Sequence, residues 1–84
     1  MKRFLVITTR TAFVQKHVLK KHEEYLDLLR FNRRLYLAGH FSNKPGGAYI
    51  IWADSLASAQ VMAEQDPINV SDYASVAVYE WTAH

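Results

Sequence analysis

The sequence has no cysteine, and in 84 residues it has only three glycines and two prolines. Without cysteine, no disulfide can support the fold. That absence is compatible with a reducing compartment. The scarcity of glycine and proline, in a chain that is 50% hydrophobic, excludes a disordered or low-complexity segment. Long hydrophobic runs are missing as well. The opening "MKRFLVITTR" has an apolar stretch from Phe4 to Ile7 before threonines and Arg10 interrupt it. That is too short for the apolar region of a signal peptide and far too short to span a membrane. The expectation is a soluble, cytoplasmic protein with no membrane partner. A strong charge of one sign is absent too: the net charge is +2 with histidines neutral. Such a balance neither demands nor excludes an anionic partner.

What is present fits one small domain over residues 1–84, without repeats or linkers. A core of this size is marginal alone. With disulfides unavailable, oligomerisation is the ordinary remaining support.

Residues 2–9, "KRFLVITT", are β-branched and aromatic and predict a strand. Residues 12–32 carry helical periodicity, with Val14, Val18, Tyr25 and Leu29 within roughly 40° of one line. A strand follows over Leu35 to Phe41, and "SNKPGG" is the clearest turn signal in the chain. "AYIIWA", residues 48–53, makes the second arm of that hairpin. Ser55 suits the N-cap of a helix "LASAQVMAEQ", which Pro67 ends. After a loop through "INVSDY", residues 74–81 form the last strand.

The order β-α-β-β-α-β is the ferredoxin-like pattern: an α+β fold with a four-stranded antiparallel sheet and two helices on one face. The uncovered face should then be polar. Instead the strands are apolar on both faces. Val76 and Val78 oppose Ala77, Tyr79 and Trp81, and Ile50 and Trp52 oppose Tyr49 and Ile51. Something must cover the second face, and with no residues left over the expected cover is a second copy. The partner expected is therefore another copy of the chain, in a sheet-to-sheet homodimer whose interface can enclose a pocket, with higher assembly left open.

In "HVLKKHEEYLDLL", His22 falls inside the apolar stripe, about 40° round the helix from Val18. A partly buried core histidine is one reading of it, and a chemical group is the other. Asp66 is the second odd residue. It sits before Pro67 at the negative end of the second helix, where a carboxylate is disfavoured. It reads as a turn-forming Asp-Pro, or as a carboxylate that fixes the tautomer of a nearby histidine and stabilises its protonated form. Both helices lie on one face of this fold, so the two residues can meet at one end. His40 ends the second strand. It is either a surface histidine or a polar group at a pocket mouth, with Ser42 and Asn43 beside it. The terminal His84 is expected to fray.

Other chemistries lack their residues. His17 and His22 are spaced poorly for one metal on one helix face, so no metal or other cofactor is expected. "PGGAY" lacks the lysine and the following helix of a phosphate loop. "GGAYIIWA" lacks the basic-Gly-aromatic pattern of an RNA-binding sheet, and no nucleic-acid partner is expected. The basic band from Lys16 to Arg34 reads as a solvated helix face.

Taken together, "HEEYLDLL" with a following basic residue, "LYLAG", the glycine-rich hairpin into "GGAYIIWADSLASAQVMAEQDP" and the closing "YEW" carry a resemblance. The chain resembles the YciI-like (YCII-related) family of the dimeric α+β barrel superfamily, from about His22 to Trp81 and in the first strand. The resemblance implies a ferredoxin-like subunit, a dimer joined through its sheets and an active site on a His–Asp pair. The family histidine matches His22, and the aspartate of the family's Asp-Pro matches Asp66. One relative resembles a dehydrochlorinase of a chlorinated hydroxyquinol, and related folds include muconolactone isomerases. Proton transfer on small cyclic or unsaturated molecules is the shared theme. The chain departs from the family pattern at Gly39-His40, where Gly-Pro is usual, and at Ile68, where an aromatic usually follows Asp-Pro. Both departures imply an altered pocket.

The expectation is a small enzyme without cofactor, with His22 as general acid or base and Asp66 orienting it. Tyr25, His40, Ser42 and Trp52 are candidates for binding a small cyclic or aromatic substrate. The reaction type would be elimination or isomerisation. The alternative is a non-catalytic ligand-binding or sensing module in the same pocket. A bare interaction domain with a structural His22 comes after it.

Overall fold

The computed structural model describes residues 1–11, 13–70 and 73–83. Ala12 at the expected helix start, Ser71 and Asp72 of the expected loop and the terminal His84 lie outside the described residues. The elements run β1 (Lys2–Arg10), α1 (Lys16–Phe31), β2 (Leu35–His40), β3 (Gly47–Ala53), α2 (Leu56–Glu64) and β4 (Ala74–Glu80). The strands form one sheet in the order β2-β3-β1-β4, with every pairing antiparallel. This is the ferredoxin-like α+β arrangement.

Strand parity sorts the side chains. Phe4 pairs with Ile51 and Val6 with Tyr49 and Val78, and these residues turn toward the helices. They form one core with Leu26 and Leu29 of α1 and Ala59 and Ala63 of α2. Burial of a side chain such as Phe4 or Ile51 stabilises the fold by about 1.5–3 kcal/mol. A smaller cluster of Val14, Ile68 and Ala74 packs at the other end.

The opposite parity leaves Leu5, Ile7, Ile50, Trp52 and Ala77 on the face without helices. Tyr36, Leu37, Tyr79 and Trp81 are exposed. A bulge between Leu35 and Leu37 sets Tyr36 edge-on to Trp52, with ring centroids 5.6 Å apart, and Arg3 lies over both rings. This is a broad apolar surface rimmed by charge.

Element ends differ from the expected ones by small, explicable amounts. The helix starts at Lys16 rather than at residue 12, because the Thr11 hydroxyl accepts from the Phe13 N–H and the Thr11 carbonyl accepts from Val14. That local turn competes with the helix. Val14 therefore belongs to the loop, and the inward arc of α1 shifts. Measured from Val18 at about 100° per residue, Tyr25, Leu29, His22, Leu26 and Leu19 fall at roughly −20°, 20°, 40°, 80° and 100°. His22 stands at the middle of this arc. At its other end α1 closes with Arg33 in the left-handed region, at φ 59°. The Arg34 N–H donates to the Leu29 carbonyl and the Arg33 N–H to that of Arg30, which is a Schellman motif. The Ser55 hydroxyl caps α2 by accepting from the Ser58 N–H at 3.1 Å, as its position predicts.

Candidate functional site

Ala59 and Ala63 of α2 are fully buried, and their small side chains let the helix lie close to the sheet. Asp66 continues the same inward spacing one turn later. Its backbone N–H still reaches the Ala63 carbonyl, so the chain turns without leaving the core. The Asp66 side chain is fully buried. Its Oδ1 accepts from the Ile68 N–H at 2.9 Å, and its carbonyl accepts from Asn69 at 2.9 Å. The turn-forming role of the Asp-Pro pair is thus satisfied through the same carboxylate that meets the histidine.

His22 approaches from α1. Its Nδ1 lies 2.8 Å from both Asp66 oxygens. A carboxylate accepts, so Nδ1 carries a hydrogen, and in the neutral imidazole Nε2 keeps its lone pair. The His22 side chain retains 14% of its accessible surface. Among the described residues no buried side-chain nitrogen lacks a partner, so Nε2 reaches open space rather than the core. A third group completes the arrangement: the Tyr49 hydroxyl donates to Asp66 Oδ2 at 2.9 Å. Burial first, and then the neighbouring Asp66 charge, push the Tyr49 hydroxyl well above its ordinary range. Tyr49 therefore remains a donor at any physiological pH. Asp66 is held from three directions, by α1, β3 and its own turn.

Two adjoining hollows open beside this pair, of about 200 Å³ and about 150 Å³. His22, Glu23, His40 and Thr8 border both. The glycines of the hairpin shape this wall. Gly46 has φ +105°, and a Cβ there would run into the Thr8 carbonyl. Thr8 ties the wall down, its hydroxyl donating to the Gly47 carbonyl at 3.1 Å and accepting from the Gly47 N–H at 3.0 Å. An imidazole fixed at one nitrogen and open at the other, beside a small partly apolar hollow, can move a proton to or from a bound molecule.

The YCII-related domain matches residues 1–82 of the chain. The chain belongs to the YCII-related family. A relative, the uncharacterised protein YjpA of Bacillus subtilis (strain 168), is 42% identical over 82 residues, which is 96% of this chain and 95% of the relative. Two solved structures share the fold at low identity. One is 5-chloro-2-hydroxyhydroquinone dehydrochlorinase (TftG) from Burkholderia phenoliruptrix AC1100, in complex with 2,5-dihydroxybenzoquinone. It has a TM-score of 0.72 at 15% identity and covers 98% of this chain and 95% of its own. The other is muconolactone isomerase, with a TM-score of 0.73 at 12% identity over 98% of this chain and 90% of its own. Both neighbours are enzymes by name.

Within this YCII-related domain, the residues expected to bind substrate divide. His40 borders both hollows with His22. Tyr25 does not border them. Its hydroxyl donates to the Met62 carbonyl at 2.7 Å, and its ring lines a separate groove of about 700 Å³ between the helices. Burial, and then the Asp66 charge, raise its hydroxyl above the ordinary 10.0. Ser42 is exposed in the hairpin turn and borders neither hollow. Trp52 is a correction to the expected site: it stands on the helix-free face with Tyr36 and Arg3, because its parity on β3 is opposite to that of Tyr49. Tyr49 was legible only as an apolar residue of the third strand, on the face opposite Trp52. Its signal was a phenol at an inward strand position, where a buried hydroxyl needs a partner. In the sequence Thr8 reads simply as a strand residue and Arg10 as the end of the first apolar run.

Proposed function

We propose that this protein is a small enzyme that performs general acid–base chemistry on a small cyclic or aromatic molecule, with His22 as the proton-transfer group and Asp66 orienting it. The observation that carries this reading is the 2.8 Å contact of His22 Nδ1 with a buried carboxylate that Tyr49 and the Ile68 N–H also hold. It leaves Nε2 preorganised toward a hollow. In an elimination, Nε2 takes a proton from carbon, the C–H electron pair becomes the new double bond, and the leaving group departs with its own pair. In an isomerisation the same proton returns to a different carbon. Asp66 stabilises the imidazolium formed between the two steps.

The hollow of one subunit is below the several hundred Å³ common for ligand sites. The apolar helix-free face supports a sheet-to-sheet homodimer.

The test is turnover of 5-chloro-2-hydroxyhydroquinone, followed by chloride release, and of muconolactone, followed by absorbance. The native chain is expected to turn over one of this class. His22→Ala and Asp66→Asn are each expected to lower kcat/KM by about 10²–10⁴-fold with the fold retained. Full turnover by a folded His22→Ala protein would end this reading. A compound that raises Tm yet is recovered unchanged, with both variants binding it equally, would favour a ligand-binding module.

A further inference from the structure

Arg10 and His40 frame the hollow in front of His22, and the acid–base pair uses neither. Arg10 is the last residue of β1. It is half-buried and borders the hollow of about 200 Å³. His40 closes β2 opposite Gly47 and borders both hollows. Arg30 reaches the smaller hollow, but Asp27 already holds it at 2.7 Å. Among the described bordering residues Glu23 is the one carboxylate, and it is exposed on α1. Asp66 lies behind His22, with no accessible side-chain surface of its own. The border of the hollow therefore includes two donors, the half-buried Arg10 guanidinium and the exposed His40 imidazole. The Thr8 hydroxyl is already engaged with Gly47.

We infer that this hollow takes a small organic carboxylate, anchored at its anionic group by Arg10 and His40 with its reacting carbon toward His22 Nε2. The inference rests on the reading of this hollow as the substrate site. A guanidinium fork matches a carboxylate in shape as well as charge. A space of about 200 Å³ equals roughly seven waters of liquid volume, enough for a single substituted ring. Negative charge that develops when Nε2 removes a proton would form beside the same two donors, which favours the transition state over the ground state. Arg10 and His40 are thus specificity-determining residues.

Benzoate and benzamide separate charge from shape. Titrated by calorimetry into the full chain at neutral pH and low salt, benzoate is expected to bind, and benzamide to bind roughly 10-fold or more weakly. Arg10→Gln should weaken benzoate by about 10-fold or more, and Arg10→Lys less, since it keeps the charge and loses the fork. His40→Ala should weaken it as well. Glu23→Gln should tighten it by removing the opposing charge, while Lys20→Gln, the same charge change as Arg10→Gln but at an exposed helix position, leaves it unaltered. Circular dichroism melts establish that each variant is folded. Equal affinity for benzoate and benzamide, no benzoate binding by the native chain, or unchanged affinity in folded Arg10→Gln overturns the inference. Binding is read here without turnover. Failure therefore removes the carboxylate assignment and leaves the His22 chemistry to the chloride and muconolactone assays.

Discussion

Tyr49 shows how one hydroxyl links the core to the site. Its ring fills the sheet–helix core, and its O–H donates to the buried Asp66. Tyr49→Phe keeps the packing and removes one of the donors that hold the carboxylate. A hydrogen bond to a charged acceptor contributes about 1.5–3 kcal/mol, so the variant is expected to melt lower at neutral pH. The alkaline limb runs the other way. Folding raises the Tyr49 hydroxyl above its ordinary 10.0, by burial first and Asp66 second. Above about pH 10 the unfolded chain releases that proton and the folded chain keeps it, so unfolding is favoured as pH rises. The stability tied to this proton is fully present below pH 10 and declines above it. A Tm profile of Tyr49→Phe should fall less steeply with pH beyond 10 than that of the native chain. Parallel slopes would show that this hydroxyl does not carry the effect.

At the scale of elements, α1 is delimited by two different devices. A Thr11 turn delays its start, and a left-handed Arg33 stops it. A side chain in the left-handed region is strained by roughly 1 kcal/mol, which glycine avoids. Arg33→Gly is therefore expected to raise stability by up to about 1 kcal/mol, partly offset by the freedom glycine adds to the unfolded chain. For a domain of this size that is a Tm gain of a few degrees, up to about 4–8 °C. A lower Tm would mean that the Arg33 side chain stabilises more than its backbone conformation costs. The close approach of α2 to the sheet, set by Ala59 and Ala63, is what lowers Asp66 into reach of His22. Ala63→Leu should lift the end of that helix and reduce turnover more than it reduces substrate binding.

For the whole molecule, the helix-free face is the open question that the proposed dimer answers. Leu37 and Tyr79 are exposed on it at 63% and 54%. Acidic residues at both positions should leave the subunit folded, because neither side chain is part of the core. Light scattering after gel filtration is expected to give a dimer for the native chain and a monomer for Leu37→Glu/Tyr79→Glu. A native monomer at micromolar concentration would remove the proposed dimer. The described residues include no helix long and apolar enough to cross a membrane.

The sequence by itself determined the element order, the two apolar sheet faces and the pairing candidates His22 and Asp66. Hydrophobic period, the "SNKPGG" turn, the Ser55 cap and Pro67 are all local signals, and they act within a few residues. Family motifs added the match of the histidine and the aspartate. Tertiary structure alone decided what meets across the chain. His22 and Asp66 are 44 residues apart and come within 2.8 Å because both helices pack on one sheet face. Tyr49 joins them and Trp52 does not, since neighbouring side chains on a strand point to opposite faces and only the assembled sheet says which face carries the helices. Arg10 and His40 become neighbours of one hollow for the same reason: strand register, a property of pairing and not of either strand, brings the end of β1 and the end of β2 to one corner.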